Sequence, residues 1–98
     1  MSTLHVLSHS PFTDTRLSSC LRLLGSADGL LLCGDAAYAL QPGTAICNEL
    51  SGRSGLHLYV LEEDLKARGL ALPAWARAVD YPGFVELSIQ HDKVNTWL

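Results

Sequence analysis

The sequence lacks several features that would assign it to a class of protein directly. No apolar run approaches the roughly 20 residues of a membrane-spanning helix, and the opening MSTLHVLSHS has neither the basic region nor the long apolar region of a secretory signal. A Gly-rich phosphate loop is also missing, because Gly25, Gly29 and Gly34 are isolated turn residues. We therefore expect a cytoplasmic protein with no membrane segment and no phosphate-bearing cofactor.

Basic residues are scarce. Seven Lys and Arg residues stand against ten Asp and Glu residues, which gives a formal net charge of −3. Binding to nucleic acid depends on Lys and Arg side chains that neutralise phosphates, and this chain has no cluster of them. The sequence therefore predicts no direct binding of nucleic acid.

Disulfide and metal-binding patterns are also missing. Three cysteines are an odd number, and they show neither CxxC nor a paired zinc spacing. The four histidines show no HxH or HExxH spacing, so a metal site would require two strand residues, such as His5 and His57, to converge on folding. We expect free thiols and no metal or cofactor. The cysteines are Cys20, Cys33 and Cys47.

The stretch LHLYVLEEDLKARGL, residues 56–70, is the most informative part of the chain. Its first half is an apolar run rich in strand-forming residues, typical of a buried parallel strand. Three carboxylates, Glu62 to Asp64, then suit the positive end of a helix dipole, and Gly69 suits the left-handed position that ends a helix. The stretch predicts a strand followed directly by a helix.

The same alternation runs through all 98 residues, which we interpret as one domain, residues 1–98. Helices are predicted after each strand, and the last should begin near Pro82 and carry Phe84, Leu87, His91 and Val94 on one face, leaving Trp97 and Leu98 at the terminus. The fold class is therefore α/β, a small open, mainly parallel sheet of about four strands flanked by helices. The predicted strands are residues 4–7, 30–33, 56–61 and 78–81.

Functional sites of parallel sheets gather at the carboxyl ends of the strands. Three segments follow predicted strands here, namely residues 8–11, 34–38 and 62–64. We expect them to meet on one edge, called below the carboxyl rim. A ligand-binding module that uses this rim is one possible function, although the pattern is common to many parallel sheets.

Four stretches resemble the TusB/DsrH family of sulfur-relay subunits, in the same order and nearly end to end. They are LHVLSHSPF with LSSCL, LLLCGDAAYA, LYVLEEDLKARGL and VDYPGFVELSIQHDKVNTWL. Asp35, Tyr38 and Ala39 fit a family pattern that reads approximately Asp-Gly-x-Tyr-Ala. Ala36 stands where a Gly is usual, so the backbone there is expected to differ from that of relatives.

The resemblance implies a domain of the DsrE/DsrF/DsrH kind that assembles with TusC/DsrF-like and TusD/DsrE-like subunits and exchanges sulfur with upstream and downstream carriers. In the Tus branch, persulfide sulfur moves toward 2-thiolation of the tRNA wobble uridine. In the Dsr branch, a similar complex serves sulfur oxidation. The resemblance also places the main sulfur-carrying cysteine on the TusD/DsrE-like partner, which makes this chain an accessory subunit.

Cys20 is the candidate catalytic residue, as a persulfide carrier. It aligns with a first-helix cysteine typical of the Dsr branch, and Arg16 lies one turn earlier. The competing interpretation is packing, because Cys20 falls beside the apolar stripe of Leu17, Leu21 and Leu24 and cysteine is often buried. Cys33 and Cys47 are more typical of core residues. An independent sulfurtransferase with Cys20 or Cys33 as nucleophile stays open as another function.

Overall fold

The computed structural model describes residues 2–97, which form one five-stranded sheet in the order β4-β3-β2-β1-β5. Each neighbouring pair of strands is parallel. A short connection cannot return a chain to a parallel strand, so helical crossovers link the strands. The strands are β1 (Thr3–Leu7), β2 (Gly29–Leu32), β3 (His57–Leu61), β4 (Arg77–Val79) and β5 (Lys93–Trp97).

Four α-helices and one 3₁₀ helix make these crossovers. None of the described helices is long and apolar enough to cross a membrane. The 3₁₀ helix and α2 together link β2 to β3. The helices are α1 (Arg16–Leu23), the 3₁₀ helix (Gly34–Leu40), α2 (Ala45–Ser51), α3 (Glu62–Ala67) and α4 (Tyr81–Gln90).

The strand and helix predicted for residues 56–70 are confirmed as β3 and α3. All three carboxylates lie in the first turn of α3. At its end Gly69 has φ +64°, and its N–H donates to the Lys66 carbonyl while the Leu70 N–H donates to the Leu65 carbonyl. This pair of bonds is a Schellman motif, which pairs two carbonyls that the end of a helix leaves free.

The two faces of the sheet are covered unequally. On one face, Leu7, Leu30 and Val60 pack with residues of α1, the 3₁₀ helix, α2 and α3. On the other face, which we call the α4 face, Leu4, Val6 and Leu31 pack with Phe84 and Leu87 of α4. Since β1, β2 and β3 lead to helices on the first face and β4 leads to α4, the chain changes direction once, after β4.

The sheet has one strand more than the sequence predicted, because the final helix ends earlier than expected. It ends at Gln90, and Val94 belongs to β5, which lies beside β1 in parallel register. His91 ends the helix by donating its backbone N–H to the Leu87 carbonyl, and Asp92 then accepts a hydrogen bond from the Ser2 N–H at 2.8 Å. The predicted terminal position of Leu98 lies outside the described residues.

Candidate functional site

The predicted carboxyl rim forms where the ends of β1, β2 and β3 meet. Gly34 follows β2 with φ +53°, and a Cβ at this position would lie 3.3 Å from the Ser8 carbonyl oxygen. Its N–H donates to Asp64 Oδ2 at 2.8 Å. The three segments are therefore joined through Gly34, the position where a side chain would be both strained and crowded. Ala36, which replaces the usual family Gly, is buried and needs no such conformation.

Arg68 connects the same loops from the end of α3. Its guanidinium donates to Asp35 Oδ1 at 2.8 Å and to the Asp64 carbonyl oxygen at 3.2 Å, with Asp64 Oδ1 at 3.6 Å. The guanidinium also lies 5.6 Å from the centre of the Tyr38 ring, within the range of a cation–π contact. A single cation thus holds the two family residues Asp35 and Tyr38 against α3.

Sequence reasoning missed this role of Arg68. It considered Asp64 only as one of three carboxylates that suit the positive end of the helix dipole. The spacing of four residues between Asp64 and Arg68 does predict their contact on a helix. The contact with Asp35, 33 positions away, follows only from the crossover that brings β2 beside β3.

Cys33 is the thiol that lies at the rim. It is half-buried directly after β2, and its S–H donates to the Leu7 carbonyl oxygen at 3.4 Å. Burial, followed by the negative charge of Asp64, raises the pKa of the Cys33 thiol, and the positive charge of Arg68 offsets this in part. The thiol is therefore a poor nucleophile at neutral pH, because the thiolate is the reactive form.

Cys20 lies within the core instead of at the rim. Cys20 is 0% exposed and lies on the inner side of α1, between the buried Leu17 and Leu21. Burial, with a further contribution from the negative charge of Asp28, raises the pKa of the Cys20 thiol to about 11. In this conformation the thiol is neither reachable nor ionised at neutral pH, and its service as a carrier stays a prediction. Cys47, on α2, is buried as well.

His5 lies in the middle of β1, where it is buried and paired on both ring nitrogens. Trp97 Nε1 donates to His5 Nδ1 at 3.1 Å, and His5 Nε2 lies 3.5 Å from Asp28 Oδ2. His57 is exposed on β3, and β2 separates it from His5. Within residues 2–97, no three His, Cys, Asp or Glu side chains converge as metal ligands would.

A cleft of about 290 Å³ opens between α4 and the β3–β4 edge. It lies where the connections from β3 and β4 leave toward opposite faces, the position at which open parallel sheets bind ligands. Glu62, Arg77 and Glu86 line it, together with Gly83, at which α4 approaches Val79 of β4. The cleft is open to solvent and mainly polar. Sequence reasoning did not find it, because α4 was predicted without its position over the sheet.

These features define an α/β protein with an open parallel sheet and a carboxyl rim whose loops Arg68 connects. Two of its thiols are buried and one is half-buried. The solved structure of the ychN protein from E. coli has the same fold. It superposes with a TM-score of 0.73 over 99% of this chain and 100% of that chain, at 19% sequence identity.

The family follows from sequence comparison. The model of the DsrH like protein family matches residues 9–94. Protein TusB of Erwinia tasmaniensis is 40% identical over 96 residues, 96% of this chain and 99% of that protein, and protein TusB of an Enterobacter species is 35% identical over the same span. The chain therefore belongs to the DsrH family, and the resemblance to TusB/DsrH sulfur-relay subunits is confirmed.

Proposed function

We propose that this chain is an accessory subunit of a cytoplasmic hetero-oligomer that passes persulfide sulfur toward 2-thiolation of the tRNA wobble uridine. The observation that carries the proposal is similarity to TusB proteins over nearly the whole of both chains. Its partners in this function are TusC/DsrF-like and TusD/DsrE-like subunits. Upstream carriers donate the sulfur to the complex, and downstream carriers accept it.

The chemistry of the thiols supports an accessory role. Sulfur transfer requires a thiolate that a donor persulfide can reach. Cys20 and Cys47 are buried, and burial raises the pKa of both Cys20 and the half-buried Cys33. A partner subunit that supplies the main carrier thiol removes this requirement from the present chain. The independent cysteine sulfurtransferase is accordingly the weaker alternative.

The charge of the chain supports an indirect relation to tRNA. With a net charge of −3 and no cluster of basic residues, the chain offers little to neutralise phosphates. We expect sulfur to reach tRNA through downstream carriers. A salt-sensitive complex of the isolated chain with tRNA at submicromolar concentration would contradict this part of the proposal.

Deletion of the gene and co-purification test the proposal together. The deletion strain should lose 2-thiouridine from the affected tRNAs, measured by mass spectrometry of digested tRNA, and plasmid-borne wild type should restore it. Tagged chain should also purify with the TusC/DsrF-like and TusD/DsrE-like products of the same genome. Unchanged 2-thiouridine together with altered oxidation of reduced sulfur would favour the Dsr-type alternative, to which the family position of Cys20 points.

A further inference from the structure

The outer side of α4 is apolar although it faces away from the sheet. Phe84 and Leu87 face inward, yet Tyr81, Val85 and Ile89 are 53%, 55% and 76% exposed. These three residues are spaced by four positions and so form one stripe along the helix. A helix that is apolar on both sides is typical of a buried position.

The sheet beneath α4 is also incompletely covered. Five parallel strands spaced about 4.8 Å apart span about 19 Å, while one helix with its side chains covers about 10–12 Å. Among the described residues, α4 is the one helix on this face. Val94 of β5, the register partner of Leu4, is 44% exposed on the same face. Parallel sheets are normally covered on both faces, so the α4 face has the composition of an interface core.

The charges beside the stripe distinguish between possible occupants. The sequence of α4 contains no Lys or Arg, and its one charged residue is Glu86. Glu86 flanks the stripe on the side of the cleft, which Glu62 and Arg77 also line. A two-fold dimer that pairs α4 with its own copy in antiparallel orientation would bring the two Glu86 side chains together, because equivalent flanks meet in that arrangement. Like charges so placed oppose association.

We propose that the exposed surface of the α4 face, formed by Tyr81, Val85, Ile89 and Val94, docks a different subunit of the complex. This subunit presents an apolar face flanked by Lys or Arg opposite Glu86. The inference rests on the proposed function and specifies where its hetero-oligomer forms. A specific interface buries about 800 Å² per partner, more than this stripe offers alone. The partner therefore extends from the stripe over the cleft on one side and β5 on the other.

Substitution of Ile89 tests the surface, with Leu23 as the matched control. Leu23 is 69% exposed at the end of α1, on the other face of the sheet. Ile89→Lys should weaken binding of co-expressed TusC/DsrF-like and TusD/DsrE-like subunits at least tenfold, measured by calorimetry or quantitative pull-down. Leu23→Lys should bind as wild type does. Unchanged thermal melting of both variants establishes that folding is intact.

The variant Glu86→Gln distinguishes docking of a different subunit from docking of a second copy of this chain. If the occupant carries a basic residue opposite Glu86, this variant should weaken the complex and increase its tolerance of salt. Stronger self-association of Glu86→Gln in sedimentation, with unchanged binding of the other subunits, would assign the face to a second copy and overturn the proposal.

The remaining outcomes separate this inference from the proposed function. If Ile89→Lys and wild type bind the other subunits equally, the docking surface is wrong while the proposed complex stands. If the wild-type chain binds neither subunit and deletion of its gene leaves 2-thiouridine unchanged, the proposed function fails, and this inference fails with it.

Discussion

Trp97 donates its indole N–H to Nδ1 of the buried His5 at 3.1 Å, which joins the last described residue to the first strand. An indole N–H can only donate, so neutral His5 must carry its proton on Nε2, the nitrogen that faces Asp28 Oδ2 at 3.5 Å. The order Trp97, His5, Asp28 is therefore a directed chain of hydrogen-bonding groups. It fastens β5 to β1 and β1 to the turn before β2.

We expect Trp97→Phe to destabilise the fold by about 1–3 kcal/mol, because His5 Nδ1 loses its donor while it stays buried. Urea unfolding measures the loss. Trp75→Phe is the control, since it makes the same change at the other tryptophan, which also packs against the core. Equal losses in the two variants would show that packing accounts for the effect. Nitrogen shifts of His5 should report the Nε2–H tautomer in wild type.

Because of Asp28, the free energy of unfolding should depend on pH in the acidic range. Hydrogen bonds from the Gly25 N–H, and then from the Thr3 N–H and His5, hold the pKa of Asp28 below its ordinary value although its burial opposes this. Because the folded pKa is the lower one, Asp28 stabilises the fold fully above its unfolded pKa of about 3.9, and this contribution is lost as the pH falls toward the folded pKa.

Asp28→Asn should accordingly be less stable than wild type at pH 7 and should lose less of its free energy of unfolding between about pH 5 and pH 2. Denaturant unfolding across this range measures both effects. Glu49→Gln is a suitable control, because Glu49 is exposed and its Oε2 lies 3.9 Å from Nη2 of Arg53. Parallel pH profiles for Asp28→Asn and wild type would contradict the assignment.

Much of the fold follows from local patterns. Residues 56–70 contain a buried strand, three helix-heading carboxylates and a terminal glycine, and each acts in the structure as its chemistry requires. Thr44 likewise acts as a helix cap of a residue type that favours this position, since its hydroxyl accepts from the Cys47 N–H. Leu17 and Leu21 of the predicted stripe, with Cys20 beside them, are confirmed as the buried side of α1, whereas Leu24 follows the helix and is half-buried.

Features that depend on distant residues did not follow from the sequence. The residues after Gln90 suit either a helix or a strand. They form β5 because β1, whose paired residues lie 90 positions earlier in the chain, offers an open edge. The clamp of Arg68 on Asp35 likewise depends on the crossover between β2 and β3. Local pattern therefore predicted the elements, whereas the fifth strand and the rim contacts arose from their assembly.

Gly29 provides the space in which the end of α4 meets the sheet. A Cβ on Gly29 would lie 2.9 Å from His91 Nε2 and 3.1 Å from Leu4 Cδ1, and the His91 ring is held by a 2.7 Å contact from Nδ1 to the Leu87 carbonyl oxygen. We expect Gly29→Ala to destabilise the fold by about 1–3 kcal/mol through overpacking. Adding His91→Ala should recover part of the loss.

Thermal and urea unfolding of the single and double variants measure this coupling. Gly52→Ala is the control, because a Cβ there would make ordinary contact, at 3.4 Å from the Asn48 carbonyl oxygen. Simple additivity of Gly29→Ala and His91→Ala would show that the two residues do not compete for the same space.

Cys20 gives the most direct test of how sulfur relates to this chain. With its pKa raised to about 11, only about one thiol in ten thousand would be ionised at pH 7. Alkylation of the native protein with iodoacetamide should therefore modify Cys33 first and spare Cys20 until the protein unfolds, as peptide mass spectrometry would detect. Modification of Cys20 at the rate of Cys33 would mean that α1 opens readily.

The variant Cys20→Ser separates packing from sulfur transfer. If Cys20 packs, a hydroxyl buried in place of the thiol without an acceptor should cost about 1–3 kcal/mol, and sulfur flow through a partner's cysteine should persist. If Cys20 carries sulfur, the variant should keep its stability and assembly but lose the persulfide accepted from a donor. We expect the first result, because Cys20 is fully buried between Leu17 and Leu21. A mass gain of one sulfur on Cys20 of the wild type, absent from the Ser variant and retained in Cys47→Ser, would establish the second.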